Sequence, residues 1–152
     1  MSLPSKASDI LSRATDSIRD LAMLDRIRVE IARCQIQMSK SAHDEDDVKA
    51  ALNSSREILR NALKTMAARG DDRQGMLIAQ VELADIALIL NEDGLAVAGA
   101  RPILDDIECP DALRRRARQI LAVAYVRQGM YTQAADALVD EKAKAVGGKN
   151  NG

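Results

Sequence analysis

The chain reads as an all-α protein of six to seven helices paired as antiparallel hairpins, and three observations carry that reading. The first is composition. Of 152 residues, 47% are hydrophobic but only 1% aromatic, with two Tyr and no Phe or Trp. A core must then be assembled from Ala, Leu, Ile, Val and Met. That mix suits closely packed helices better than strands, which favour aromatic and β-branched residues. The second is periodicity: apolar residues recur in steps of three and four, and no segment alternates as a strand would. The third is punctuation, with Gly70, Asn91–Gly94, Cys109-Pro110-Asp111 and Gly129 standing where helices should end or begin.

Taken in order, Met1–Ala7 is small, polar and proline-containing, and a frayed start is expected over 1–7. From Ser8 the positions Leu11, Ala14, Ile18 and Leu21 form one helix face. A second series runs Leu24, Ile27, Ile31, Cys34, Met38. The step of three between Leu21 and Leu24 departs from the alternation and predicts a bend or break near Ala22–Asp25. Ser41–Asp47 interrupts the pattern with acids suited to starting a helix. The helix that follows carries Val48, Leu52, Ile58, Leu59, Ala62, Leu63 and Met66 and stops at Gly70. Asp71 and Asp72 are N-cap candidates for the next, with Gln74 in a loose capping-box position.

Met76–Leu90 is the most apolar run in the chain, with Gln80, Glu82 and Asp85 as its strongly polar members. It predicts a helix of roughly 22 Å with neighbours on several sides. Asn91–Gly94 is then a turn. Leu95–Ile107 is helical in pattern, but Pro102 should kink or split it. A long helix is expected from Cys109-Pro110-Asp111 to Gln128, and a last one from about Thr132 to Ala145. Residues 147–152 form a flexible tail, leaving one helical domain over 8–146.

Charge and cysteine content exclude several classes. Charged residues make up 30% of the chain, yet the formal net charge is −1, so no global field recruits nucleic acid or an anionic membrane. Met76–Leu90 is too short and too charged to span a bilayer. Cys34 and Cys109 share no motif spacing, which predicts a reduced, cytoplasmic setting with both as small core residues.

Two stretches match at an offset of 35 residues. Ile86 pairs with Leu121, Ala87 with Ala122, Leu90 with Tyr125, Gly94 with Gly129, Gly99 with Ala134 and Ile103 with Leu138. Small residues repeated at one place in paired helices let backbones approach, and such hairpins bury their faces by stacking on neighbours.

The stretch Leu121–Leu138, LAVAYVRQGMYTQAADAL, resembles a tetratricopeptide repeat. It has the large-small pair Leu121-Ala122, the aromatic Tyr125, the turn Gly129, then Tyr131, Ala134 and Leu138. The unit before it, Gln80–Ile107, departs in carrying Leu90 and Ala96 for the two aromatics and Pro102 in its second helix. Leu24–Gly70 is read as a longer third unit, with Ala32 and Ala51 as its small positions. The resemblance implies a short superhelix and a scaffold or adaptor role, in which a protein or peptide partner lies in a groove. By position, that groove is lined by Ala84, Leu88, Arg116, Gln119, Val123 and Arg127. The Lys/Asn pattern that clamps a terminal carboxylate is absent there, which points to an apolar groove with a basic edge. Self-association into a homo-oligomer is the alternative.

Motifs of chemistry are sparse. His43 is the only histidine, and consecutive acids beside it in Asp44–Asp47 cannot all face one ion, so neither a metal nor a cofactor is expected. Arg114, Arg115, Arg116 and Arg118 form a basic cluster that could hold an acidic partner, but no aromatic interleaving suggests nucleic acid. Asp85, an acid inside the apolar run, needs an Arg from a neighbouring helix. Such pairing is favoured over a third reading, an enzyme using buried carboxylates.

Overall fold

A computed structural model describes residues 3–139; the predicted tail at 147–152, and the last helix beyond Val139, lie outside them. The described residues form six helices and no strand: α1 Leu3–Lys40, α2 Glu45–Arg69, α3 Arg73–Ile89, α4 Asp93–Asp105, α5 Asp111–Arg127 and α6 Tyr131–Leu138. The fold is all-α. None of these helices is long and apolar enough to cross a membrane. Where the spacing suggests one domain over 8–146, packing divides the chain into two compact units, Met1–Ala79 and Gln80–Gly152, with the boundary inside α3.

In the first unit, α1 starts at Leu3 and runs unbroken to Lys40, so the predicted break at Ala22–Asp25 is absent. The buried face also differs from the expected one. It consists of Asp25, Val29, Ala32, Ile36 and Ser39, whereas Leu24, Ile27, Ile31, Cys34 and Met38 are exposed. The reason is one residue. Four positions after Leu21 the packing seam falls on Asp25, an acid, and a reading by hydrophobicity steps past it onto the wrong face. Asp25 is tolerated there because Arg69 of α2 ion-pairs with it, joined by Arg28 at 3.2 Å. Burial raises the Asp25 carboxyl, but hydrogen bonds from Thr65, Arg69 and Arg28 hold it below the usual carboxylate range.

The helix α2 begins on Asp44, whose side chain accepts from the backbone N–H groups of Asp46 and Asp47. Leu52, Leu59, Ala62 and Met66 make its buried face. Gln35 accepts a hydrogen bond from Ser55, while Asp25 meets Arg69, so α1 and α2 run antiparallel. Gly70, at φ 69°, ends α2 with its N–H on the Met66 carbonyl. Asp72, not Asp71, caps α3, accepting from the Gly75 N–H at 2.9 Å. The guanidinium of Arg26 grips the same carboxylate through two 2.6 Å bonds.

The second unit contains the rest of α3 and two turns of one kind. At the α3–α4 turn, the Glu92 N–H bonds the Ala87 carbonyl and the Asn91 N–H bonds Leu88. At the α5–α6 turn, Met130 bonds Tyr125 and Gly129 bonds Val126. These are Schellman motifs 38 residues apart, with left-handed Asn91 (φ 61°) and Gly129 (φ 75°) in the same role. The 35-residue alignment of Gly94 with Gly129 is therefore corrected: Gly94 lies inside α4. At the 38-residue register Ala84 corresponds to Ala122 and Ala96 to Ala134, all four buried. The close approach of α3 and α4 is at Gly99, where a Cβ would stand 3.3 Å from that of Ala84. Pro102 does not split α4, which continues to Asp105; so near the C-terminus the proline forfeits a single backbone bond. Asp111 rather than Pro110 opens α5, and Pro110 sits at its N-cap.

Candidate functional site

Burial on α5 falls on Ala117, Ile120, Leu121, Ala122, Ala124 and Tyr125. That leaves Gln119, Val123, Val126 and Arg127 on its outer side. The Schellman turn at Gly129 folds α6 back, and Ala134 is the residue of α6 buried in the contact. Between the two helices lies a groove of about 490 Å³ lined by Gln119, Ala122, Val123, Val126, Arg127, Tyr131, Ala134, Ala135 and Leu138. Tyr131 and Leu138, seven residues apart on one side of α6, keep 70% and 59% of their surface exposed beside the groove.

The charged edge of this groove is Arg127. Its Nη1 donates to the Leu88 carbonyl at 2.7 Å and to Asp93 at 3.2 Å, tying the end of α5 to the α3–α4 turn. Apart from Gln119 and Arg127, whose Nη1 is shared between these two acceptors, the groove lining is apolar.

The six sequence-predicted residues divide. Gln119, Val123 and Arg127 come together in the α5–α6 groove. Ala84 is 2% exposed, packed where α4 passes closest, and does not line it. Leu88 contributes its carbonyl to Arg127. Arg116 ion-pairs with Glu82 and lies 3.4 Å from Asp85. Burial works against the Arg116 charge, and the two carboxylates more than restore it, so the guanidinium is held firmly protonated. Val126, Ala135 and the exposed side of Tyr131 escaped the sequence reading. Their signal was the spacing of Tyr131, Ala134, Ala135 and Leu138 along one side of α6.

Other groups singled out from sequence have structural partners. Arg114 donates to the carbonyls of Leu104 and Asp106, closing the C-terminal end of α4. Asp106 accepts from the Glu108 N–H in the α4–α5 loop. Cys109 is buried, and burial pushes its thiol up. Cys34, expected in the core, is exposed on α1 because the seam lies on another face. Among the described residues no group of three or more His, Cys, Asp or Glu is placed to hold a metal ion.

No protein family, curated protein or solved structure matches the chain.

Proposed function

We propose that the chain is a non-enzymatic interaction module whose α5–α6 groove takes an apolar segment of a partner protein or peptide. The observation that carries this is the groove itself: Val123, Val126, Tyr131 and Leu138 line one concave, exposed surface. Its occupant is chiefly apolar, since the lining is apolar apart from Gln119 and Arg127, and the Nη1 of Arg127 is taken by Asp93 and Leu88. A scaffold or adaptor role of tetratricopeptide type belongs to the same reading. Its support is the pair of Schellman turns with buried alanines at matching places, although their 38-residue spacing exceeds that family's unit of about 34. A reduced, cytoplasmic setting fits the two free cysteines.

The test is a random-peptide selection on the full chain, followed by fluorescence anisotropy of the enriched peptides. Val126→Asp places an unpartnered charge in the groove, and the selected peptides should lose at least tenfold in affinity, about 1.4 kcal/mol. Peptides that bind this variant as well as wild type would remove the reading. Self-association is the second reading, favoured by the same exposed residues. It predicts a sedimentation coefficient that rises with concentration for wild type and stays monomeric for Val126→Asp.

A further inference from the structure

The helix α1 outruns its partner. Arg69, the last residue of α2, meets Asp25, and the buried residues of α1 all lie between Asp25 and Ser39. From Asp9 to Leu24 none of the described side chains is buried, and Ile10, Leu21 and Leu24 keep 67%, 51% and 40% of their surface exposed. Leu3–Leu24 thus extends roughly 33 Å past the end of α2. Its composition does not sustain a helix unaided: Ser8, Asp9, Ser12, Asp16, Ser17 and Asp20 are poor helix formers, and such a helix is marginal in water without a packed face. The spacing nevertheless supplies a face. Positions 11, 14, 18 and 21 run without a break into 25, 29, 32, 36 and 39, the positions buried in the hairpin, so a single seam continues along the helix. Its uncovered half holds Leu11, Ala14, Ile18 and Leu21. The flanking positions carry no charge, being Ile10, Thr15, Ser17, Ala22 and Leu24. The charges of this stretch, Asp9, Arg13, Asp16, Arg19 and Asp20, fall at the outer helical positions.

We propose that this extension of α1 pairs antiparallel with the same segment of a second copy, forming a two-fold helical dimer over residues 8–24. Three observations commit the seam to that occupant. The first is continuity with the α1–α2 interface. From Asp25 onward α2 fills the seam, so a parallel copy would drive its own continuation into α2, whereas an antiparallel copy leads away from it. The antiparallel copy also follows the direction that α2 takes along α1, and begins where α2 ends. The second is self-complementarity. A spacing of three, four and three is unchanged by reversal, so a two-fold axis at Asp16 sets position 11 opposite 21 and the alanine position 14 opposite the isoleucine position 18. Ile10 then falls beside Leu24 of the second copy on the flank. The third is charge: uncharged flanks select neither an acidic nor a cationic foreign helix, and they do not repel an identical one. The residues involved are distinct from those of the α5–α6 groove.

Sedimentation velocity of the full chain over a range of concentrations should show a monomer–dimer equilibrium. Leu21→Asp should weaken it on the order of a hundredfold, because the two-fold axis brings the new charge into the seam twice. Leu21 is exposed in the single chain, so the urea midpoint of this variant should match wild type at concentrations where wild type is monomeric. Asp20→Asn, on the outer side, should leave the dimer as it is. Val126→Asp should also leave it, which separates this dimer from self-association through the α5–α6 groove. Orientation is read by distances between nitroxide labels on Asp9→Cys or Asp16→Cys in a Cys34→Ser background, Cys109 being buried. In the antiparallel dimer the labels at 16 lie level with the axis, and those at 9 are separated along it by roughly 21 Å. Equal separations at the two sites would mean parallel pairing and overturn the proposal. So would a chain that is monomeric at every concentration, a dimer that Leu21→Asp leaves intact, or one that Val126→Asp abolishes.

Discussion

Asn91 shows how a single residue sets a turn. At φ 61° it occupies the left-handed region, where a Cβ costs an ordinary residue about 1–2 kcal/mol and glycine nothing. Asparagine reduces that cost, and the equivalent position of the next hairpin is Gly129. Asn91→Gly should hold or raise the thermal midpoint, and Asn91→Val should lower stability by about 1–2 kcal/mol, as read by urea denaturation. Equal midpoints for the two variants would mean that the turn does not require this conformation. From sequence the asparagine was legible as part of a turn, but Gly94 is the residue that glycine's freedom suggested. Only the backbone bonds show which residue is left-handed.

At the level of the element, α1 is decided by Asp25. A buried carboxylate at a packing position makes the helix look discontinuous to any pattern that counts apolar residues. It is held by Arg69, whose side chain is 15% exposed against 2% for Asp25. Asp25→Ala leaves that guanidinium with its principal carboxylate gone, and roughly 3–5 kcal/mol of stability should be lost. Asp25→Leu combined with Arg69→Met replaces the pair by apolar contact and should recover most of the loss, since buried pairs are often matched by hydrophobic isosteres. Chemical denaturation of the single and double variants measures both. A double variant no better than Asp25→Ala would show that the pair itself, not its desolvation, stabilises the hairpin. The helices bounded by clear caps were legible in advance: α2 runs from acids on Asp44 to Gly70, and α5 follows Pro110. Their boundaries depend on local backbone groups, which local residues satisfy.

For the whole molecule, acid sensitivity follows from how its carboxylates are held. The Arg26 guanidinium beside Asp72 lowers that carboxyl, with the Gly75 N–H adding to it and burial opposing. A carboxyl lowered by folding contributes stability above its unfolded value of about 3.9, and the contribution is lost as pH falls through the folded value. Asp72→Asn should therefore cost about 1 kcal/mol at neutral pH, a figure moderated by the exposure of Arg26. The gap between variant and wild-type midpoints should begin to narrow below roughly pH 4 and close as pH falls through the lowered folded value. A gap that does not narrow at all with falling pH would assign the effect to helix capping rather than charge. The Asp25 carboxyl, lowered by Thr65, Arg69 and Arg28 against the opposing effect of burial, adds to the same acid sensitivity.

Composition and spacing by themselves determined that the chain is all-helical, where most of its helices begin and end, and that Asp85 would need an arginine. Those properties rest on residues within one or two turns of each other, or on the rule that buried charge must be compensated. Tertiary structure alone decided which face of α1 is buried, that the two similar turns lie 38 residues apart, and that packing divides the chain within α3. It also decided that Arg116 turns to Glu82 while Gln119, Val123 and Arg127 share a groove with α6. Each of these depends on which side chains from distant segments meet. A helix with two apolar stripes can bury either one, and the choice belongs to the helix it packs against.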